Sequence, residues 1–150
     1  LANNILGVFG MMGRIGERVR EKSGMAYYAS SRLTAWHDCG TWEVLAGVNP
    51  DNLEKAISQI DDELRRFTGE GVTADELRDS QANLIGQLPL AMESNAGVAN
   101  AITNIVRYGL DIDHYRTYPQ RMQSITAEQV QQVAARYLRL EELVTSSAGR

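Results

Sequence analysis

The chain has 150 residues, 43% of them hydrophobic, with 15 Lys and Arg against 19 Asp and Glu and a formal net charge of -4. That length carries a real core, and the mild acidity argues against nucleic acid or an anionic membrane surface as the main partner. No apolar run approaches the roughly 20 residues needed to cross a bilayer, and the single cysteine, Cys39, leaves no internal disulfide to form.

Residues 2–22 are expected to be helical, with a break between Gly7 and Gly13 and a buried stripe of Met12, Ile15 and Val19. Gly24 stops that helix. Residues 25–36, rich in Tyr, Ser and Thr, read as a strand. His37 to Gly40 is a connection, and residues 41–48 form a second strand with Trp42, Val44, Ala46 and Val48 on one face. So short a connection implies an antiparallel hairpin. Asn49-Pro50 opens the next helix, Asn as the cap and Pro in the first turn, where its missing N–H costs nothing. Leu53, Ile57, Ile60, Leu64 and Phe67 then recur at steps of three and four, the mark of an amphipathic helix.

Thr73-x-x-Glu76 is a capping box that starts a helix reaching about Leu88, where Pro89 ends or kinks it. Ser94 or Asn95 caps a helix through Tyr108, and residues 111–122 form a shorter one. Thr126-x-x-Gln129 caps the last, with Val130, Val133, Ala134 and Tyr137 as its buried face. Residues 143–148 are apolar enough for a short final strand. Strands first, helices in the middle and a strand last describe an α+β fold, an antiparallel sheet packed against several helices. With no linker, low-complexity tract or repeat, residues 1–150 read as one domain. A start inside a helical segment without Met suggests a fragment of a longer polypeptide. No signal-like region is visible, which favours the cytoplasm.

The stretch with most chemical content is Arg20-Glu21-Lys22-Ser23-Gly24-Met25-Ala26-Tyr27, at the corner between helix and strand. Arg20 offers five fixed donors and a permanent charge; Tyr27 offers one neutral donor near pH 7. Aimed at one point, such a pair suits peptide carbonyls or a developing oxyanion better than a metal or a phosphate. The same spacing also fits a solvated cation complementing the helix dipole and a core tyrosine on a strand.

Other chemistry is thin. Zinc chemistry requires three protein ligands and an open position, and the two histidines, His37 and His114, lie in no such motif. His37, Asp38 and Cys39 are adjacent residues of a hairpin loop, which rarely converge on one ion. Ser30, Ser31 and Cys39 lack a nucleophile elbow and a placed base. Asp61, Asp62 and Glu63 are consecutive on a helix, splay apart and read as a solvated face. Glycines at 7, 10, 13 and 16 follow no strand and precede no Lys-Ser/Thr, so they make no phosphate loop.

In order along the chain, Asn4-Ile5-Leu6-Gly7, Gly13-Arg14-Ile15 and Val19-Arg20-Glu21-Lys22-Ser23-Gly24-Met25-Ala26-Tyr27 resemble the C-terminal domain of pitrilysin/insulinase-type zinc peptidases, the superfamily of the mitochondrial processing peptidases. The likeness continues through Gly47-Val48-Asn49-Pro50, Val72-Thr73-x-x-Glu76-Leu77, Leu88-Pro89-Leu90-x-x-Glu93-Ser94 and Thr126-x-Glu128-x-Val130 to Tyr137-Leu138. Val8 stands where the family usually has a second Gly, and Gly13 where it has Ser. The resemblance implies a processing-peptidase-like (LuxS-like) domain that faces a catalytic zinc domain across a closed chamber. The zinc-binding inverted H-x-x-E-H motif would belong to that partner, in the same chain or a separate subunit; this chain would hold no catalytic residue and no metal. Arg20 and Tyr27 would reach the peptide substrate. The alternative it implies is a catalytically silent structural subunit like the core proteins of the cytochrome bc complex. Self-association of the chain is a further expectation.

Overall fold

The structure, a computed structural model, describes residues 1–149. At the N-terminus α1 (Ala2–Gly7) is followed by α2 (Phe9–Gly16), and the expected break falls within the range of α2: Gly10, Met12 and Gly13 have φ of 65°, 74° and 64°, outside helical geometry. Met12 is therefore not part of a continuous helical stripe with Ile15 and Val19, and it remains half-buried while those two are fully covered. The chain then widens into a π-helical turn, Glu17–Lys22. Gly24, at φ 62°, ends it as the sequence indicates. Its N–H donates to Arg20 O at 3.0 Å, and the Met25 N–H reaches Val19 O at 3.2 Å.

Strands β1 (Ala26–Ala35) and β2 (Gly40–Val48) form an antiparallel pair, the hairpin closed by the Trp36 N–H on Cys39 O at 2.8 Å. On β2, Trp42, Val44, Ala46 and Val48 pack on the core, as their alternation requires. Five helices follow: α3 (Leu53–Glu70), α4 (Ala74–Ala91), α5 (Asn95–Tyr108), α6 (His114–Gln123) and α7 (Ala127–Tyr137). Both capping boxes are formed, Thr73 with Glu76 and Thr126 with Gln129. Pro89 sits in the last turn of α4, which ends two residues later.

Phe67 and Leu64 of α3 are the centre of the core, packed with Leu6, Ile15, Val19, Ala29, Val130, Ala134 and Leu138. Each large apolar side chain so buried contributes about 1.5–3 kcal/mol before entropy is counted. Helix α1 comes unusually close to β1. A Cβ on Gly7 would lie 2.1 Å from the Ser31 backbone N, and one on Gly16 would lie 3.2 Å from Ala29 O. Glycine at both positions is what lets the N-terminal segment close against that strand. Asn4 ties it to α4, accepting from Ser80 Oγ at 3.1 Å and donating to Asn83 Oδ1 at 3.3 Å.

Three expectations need correction. Residues 143–148 form no strand; after a short 3₁₀ turn at Leu140–Glu142 the chain runs beside β2 without joining it. Val133 and Tyr137 are exposed, because α7 meets α3 and buries the narrower row Val130, Ala134 and Leu138. Glu63 is not solvated with Asp61 and Asp62; it is buried and faces three arginines, described below.

Candidate functional site

The two residues singled out by their chemistry occupy two irregularities on either side of Gly24. Arg20 lies in the π-helical turn and is partly buried. Such wide turns re-aim side chains that a regular helix would stack one above another. Among the described residues no carboxylate lies within ion-pair distance of the Arg20 guanidinium. Its neighbour Lys22 instead takes up Glu17, at 2.7 Å.

Tyr27 sits at a β-bulge. Ala26 pairs with Val48 and Tyr28 with Gly47, so two residues of β1 are matched against one of β2. The consequence follows from period-two alternation. Ala29 and Ser31 face the core, and an unbroken strand would turn Tyr27 to the same side. The extra residue reverses the parity: Ala26 goes in, and Tyr27 and Tyr28 both go out. Tyr27 is 88% exposed. The Tyr28 ring lies over Gly47, where a Cβ would come within 2.5 Å of Cε1. The solvated-cation reading of Arg20 and the donor reading both fit this exposure; the core reading of Tyr27 does not.

Behind the turn lies a polar network that no linear pattern in the sequence pairs. Arg14, just after the Gly10–Gly13 break, grips Glu76 with two guanidinium nitrogens, Nη2 at 2.6 Å from Oε2, and gives a further bond to Gly71 O at 3.0 Å. Its guanidinium lies over the Phe67 ring, 5.3 Å from the centroid. Glu63 is approached by Arg14 (3.8 Å), Arg18 (3.3 Å) and Arg66 (3.5 Å). Partial burial pushes the Glu76 carboxyl upward, but the Arg14 fork and the bonds from Thr73 outweigh it and hold the pKa at about 2. Ser23 adds a second tie, its Oγ lying 2.7 Å from Arg18 O and 2.6 Å from the Gln59 side-chain amide, with one hydrogen to give. The π-helical turn is thus tied to α3 through Arg18 and Ser23, and the segment before it to α4 through Arg14. The family-type Arg14 and the Thr73-x-x-Glu76 box are each visible in the sequence; that they bind one another is not.

The remaining candidates lie apart. His37 Nδ1 contacts Asp38 Oδ1 at 2.6 Å in the exposed hairpin loop, and Cys39 is exposed beside them. His114 Nδ1 lies 2.9 Å from Arg121 Nη1 on α6. Among the described residues no three His, Cys, Asp or Glu side chains are grouped to hold a metal ion.

The sequence pattern of the peptidase M16 inactive domain matches residues 1–84. An uncharacterized zinc protease of Streptomyces coelicolor is 33% identical over 93 residues, 62% of this chain and 20% of that protein. One from Mycobacterium leprae is 29% identical over 127 residues, 84% of this chain and 28% of the relative. The chain therefore spans a fifth to somewhat over a quarter of these relatives. The crystal structure of a peptidase M16 inactive domain from Pseudomonas fluorescens superposes with a TM-score of 0.85 at 25% identity, over 94% of this chain and 34% of that one. The inactive peptidase domain of a zinc protease from Bordetella parapertussis shares the fold, with a TM-score of 0.77 at 17% identity over 99% of this chain and 82% of its own. The matched segment holds the clamped turn, the bulged hairpin and the Arg14–Glu76 pair alike, and on that ground the chain belongs to the peptidase M16 inactive domain family.

Proposed function

We propose that this chain is the non-catalytic half of a zinc metalloendopeptidase. It supplies the wall of a closed chamber opposite a catalytic domain of the same superfamily, in the same polypeptide or in a partner subunit. That domain holds the Zn²⁺ and its water, and the substrate is a peptide lying along it as an added strand. Arg20 and Tyr27 reach across, orient the peptide backbone and donate to the carbonyl oxygen as it becomes an oxyanion. Donors of this kind act on charge that develops in the transition state, and losing one typically costs on the order of 10²–10³ in rate.

The observation that carries this reading is the bulge: it leaves a tyrosine in solvent where regular alternation would bury it, seven residues along the chain from an arginine that has no carboxylate partner among the described residues. A structural subunit needs neither feature. The test is peptide cleavage by the assembled two-half enzyme carrying Tyr27→Phe or Arg20→Lys. Each should lower kcat/KM by roughly ten- to thousandfold while the fold is unchanged. Kinetics indifferent to both would refute the assignment and favour the structural reading.

A further inference from the structure

The turn that carries Arg20 is closed by the residues just after it. In the two-bond glycine cap of an ordinary helix, the left-handed residue donates to the carbonyl three positions back, and the next residue to the one five back. Here the Gly24 N–H, at φ 62°, donates to Arg20 O, four back, at 3.0 Å, and the Met25 N–H to Val19 O, six back, at 3.2 Å. Relative to that cap each bond is one residue wider, in keeping with the π-helical turn it closes. The preceding carbonyl, Arg18 O, is met by a side chain: the Ser23 hydroxyl, five positions on, lies 2.7 Å away.

The same hydroxyl lies 2.6 Å from the Gln59 side-chain amide on α3. Arg18 ties the turn to that helix as well, through Asp62 at 3.2 Å and Glu63 at 3.3 Å. The two ties differ in kind. Arginine has a long side chain that can follow a shift of its backbone by changing rotamer. A serine hydroxyl is two bonds from its Cα, so a hydroxyl held at both the Arg18 carbonyl and Gln59 holds the backbone itself. Without it the last turn is free to tighten to the α pitch, which brings Lys22 rather than Ser23 over Arg18. Arg20 lies three residues before Ser23 and Tyr27 four after it, so a change of pitch here moves Arg20 relative to β1.

We propose that Ser23 is a positioning residue for the Arg20–Tyr27 pair. Its hydroxyl, held between Arg18 O and the Gln59 amide, keeps the turn wide and so sets the place of the Arg20 guanidinium relative to the Tyr27 hydroxyl. Ser23 acts through Arg20 alone. This inference rests on the role assigned above to Arg20 and Tyr27.

The experiment is peptide cleavage by the assembled two-half enzyme carrying Ser23→Ala, Ser23→Thr, Gln59→Ala or Arg20→Ala, and by the Ser23→Ala, Arg20→Ala double variant. Misplacing a group by about 1 Å can cost on the order of 10²-fold in rate. Ser23→Ala should therefore lower kcat roughly 3- to 100-fold with KM unchanged, as for an interaction made only in the transition state. Ser23→Thr keeps the hydroxyl and should restore the parent rate. In the Arg20→Ala enzyme, Ser23→Ala should cost nothing further, because no guanidinium is left to place. Gln59→Ala should give a loss of the same kind, and it serves should Ser23→Ala weaken the fold. A full rate in both Ser23→Ala and Gln59→Ala beside an impaired Arg20→Ala would overturn the positioning role and leave that of Arg20 standing. Equal losses from Ser23→Ala with and without Arg20 would also overturn it, as a general loss of folded enzyme. An Arg20→Ala enzyme as fast as the parent would refute the role of the pair itself, and the positioning role with it.

Discussion

Arg14 and Glu76, 62 residues apart, form a two-pronged ion pair that joins the broken N-terminal helix to the first turn of α4. Glu76 also accepts from the Thr73 N–H at 2.8 Å, so one carboxylate both caps a helix and anchors the segment that carries Arg20. Its folded pKa of about 2 lies below the ordinary value of 4.5. A depressed carboxylate contributes stability that is complete above pH 4.5 and is lost as pH falls through 2. A tenfold change in proton affinity is worth about 1.4 kcal/mol. With 30% of the side chain exposed, solvent screening reduces the net contribution to about 2 kcal/mol. Urea unfolding of the wild type and of Glu76→Gln at pH 7 and at pH 2.5 measures it. The variant should be less stable at pH 7, and the gap should narrow at pH 2.5; a gap that does not change with pH would refute the pairing.

Close approach of α1 to β1 sets up a contrast between two glycines. Gly7→Ala places a Cβ 2.1 Å from backbone, so the helix must move; a loss of roughly 3 kcal/mol follows. Gly86 is an exposed residue inside α4 with nothing within 4 Å of its missing Cβ. Gly86→Ala should raise stability by about 0.5–1 kcal/mol. Thermal melts of the two single variants give both signs directly.

The bulge makes its own prediction. Deleting Tyr27 leaves Ala26 opposite Val48 and Tyr28 opposite Gly47, now in unbroken alternation with Ala29 and Ser31. The deletion should therefore fold, within about 1 kcal/mol of the parent, because no buried side chain changes face. Under the proposed role, a two-half enzyme carrying the deletion should be as impaired as one carrying Tyr27→Phe. Unfolding of the deletion variant would show that the bulge is needed by the hairpin itself rather than by function.

Thr73→Ala separates the cap from the charge. It removes the hydroxyl that accepts the Glu76 N–H at 3.2 Å but leaves the Arg14 fork in place. A loss of about 1 kcal/mol is expected, half or less of the Glu76→Gln effect. Equal losses in equilibrium denaturation would mean that Glu76 matters here mainly through the cap.

Much of the architecture is written locally. The capping boxes at Thr73 and Thr126, the Asn49-Pro50 start, the stop at Gly24 and the hairpin around His37-Asp38 each depend on a few neighbouring residues, so they can be read in order along the chain. The family likeness rests on that same order, and it drew attention to Arg20 and Tyr27. Which way those side chains face was not legible. Alternation alone sends Tyr27 inward, and only the pairing of β1 with β2 introduces the extra residue that turns it out. Glu63 sits among acidic neighbours that look solvated, yet its environment comes from Arg14 and Arg18, which lie 49 and 45 residues earlier. The row on α7 narrows because α3 covers one side of it, and the apolar C-terminal segment forms no strand because it pairs with neither edge of the hairpin. In each case periodicity determines which residues are candidates, whereas burial and charge pairing depend on elements distant in sequence and are decided only when those elements pack.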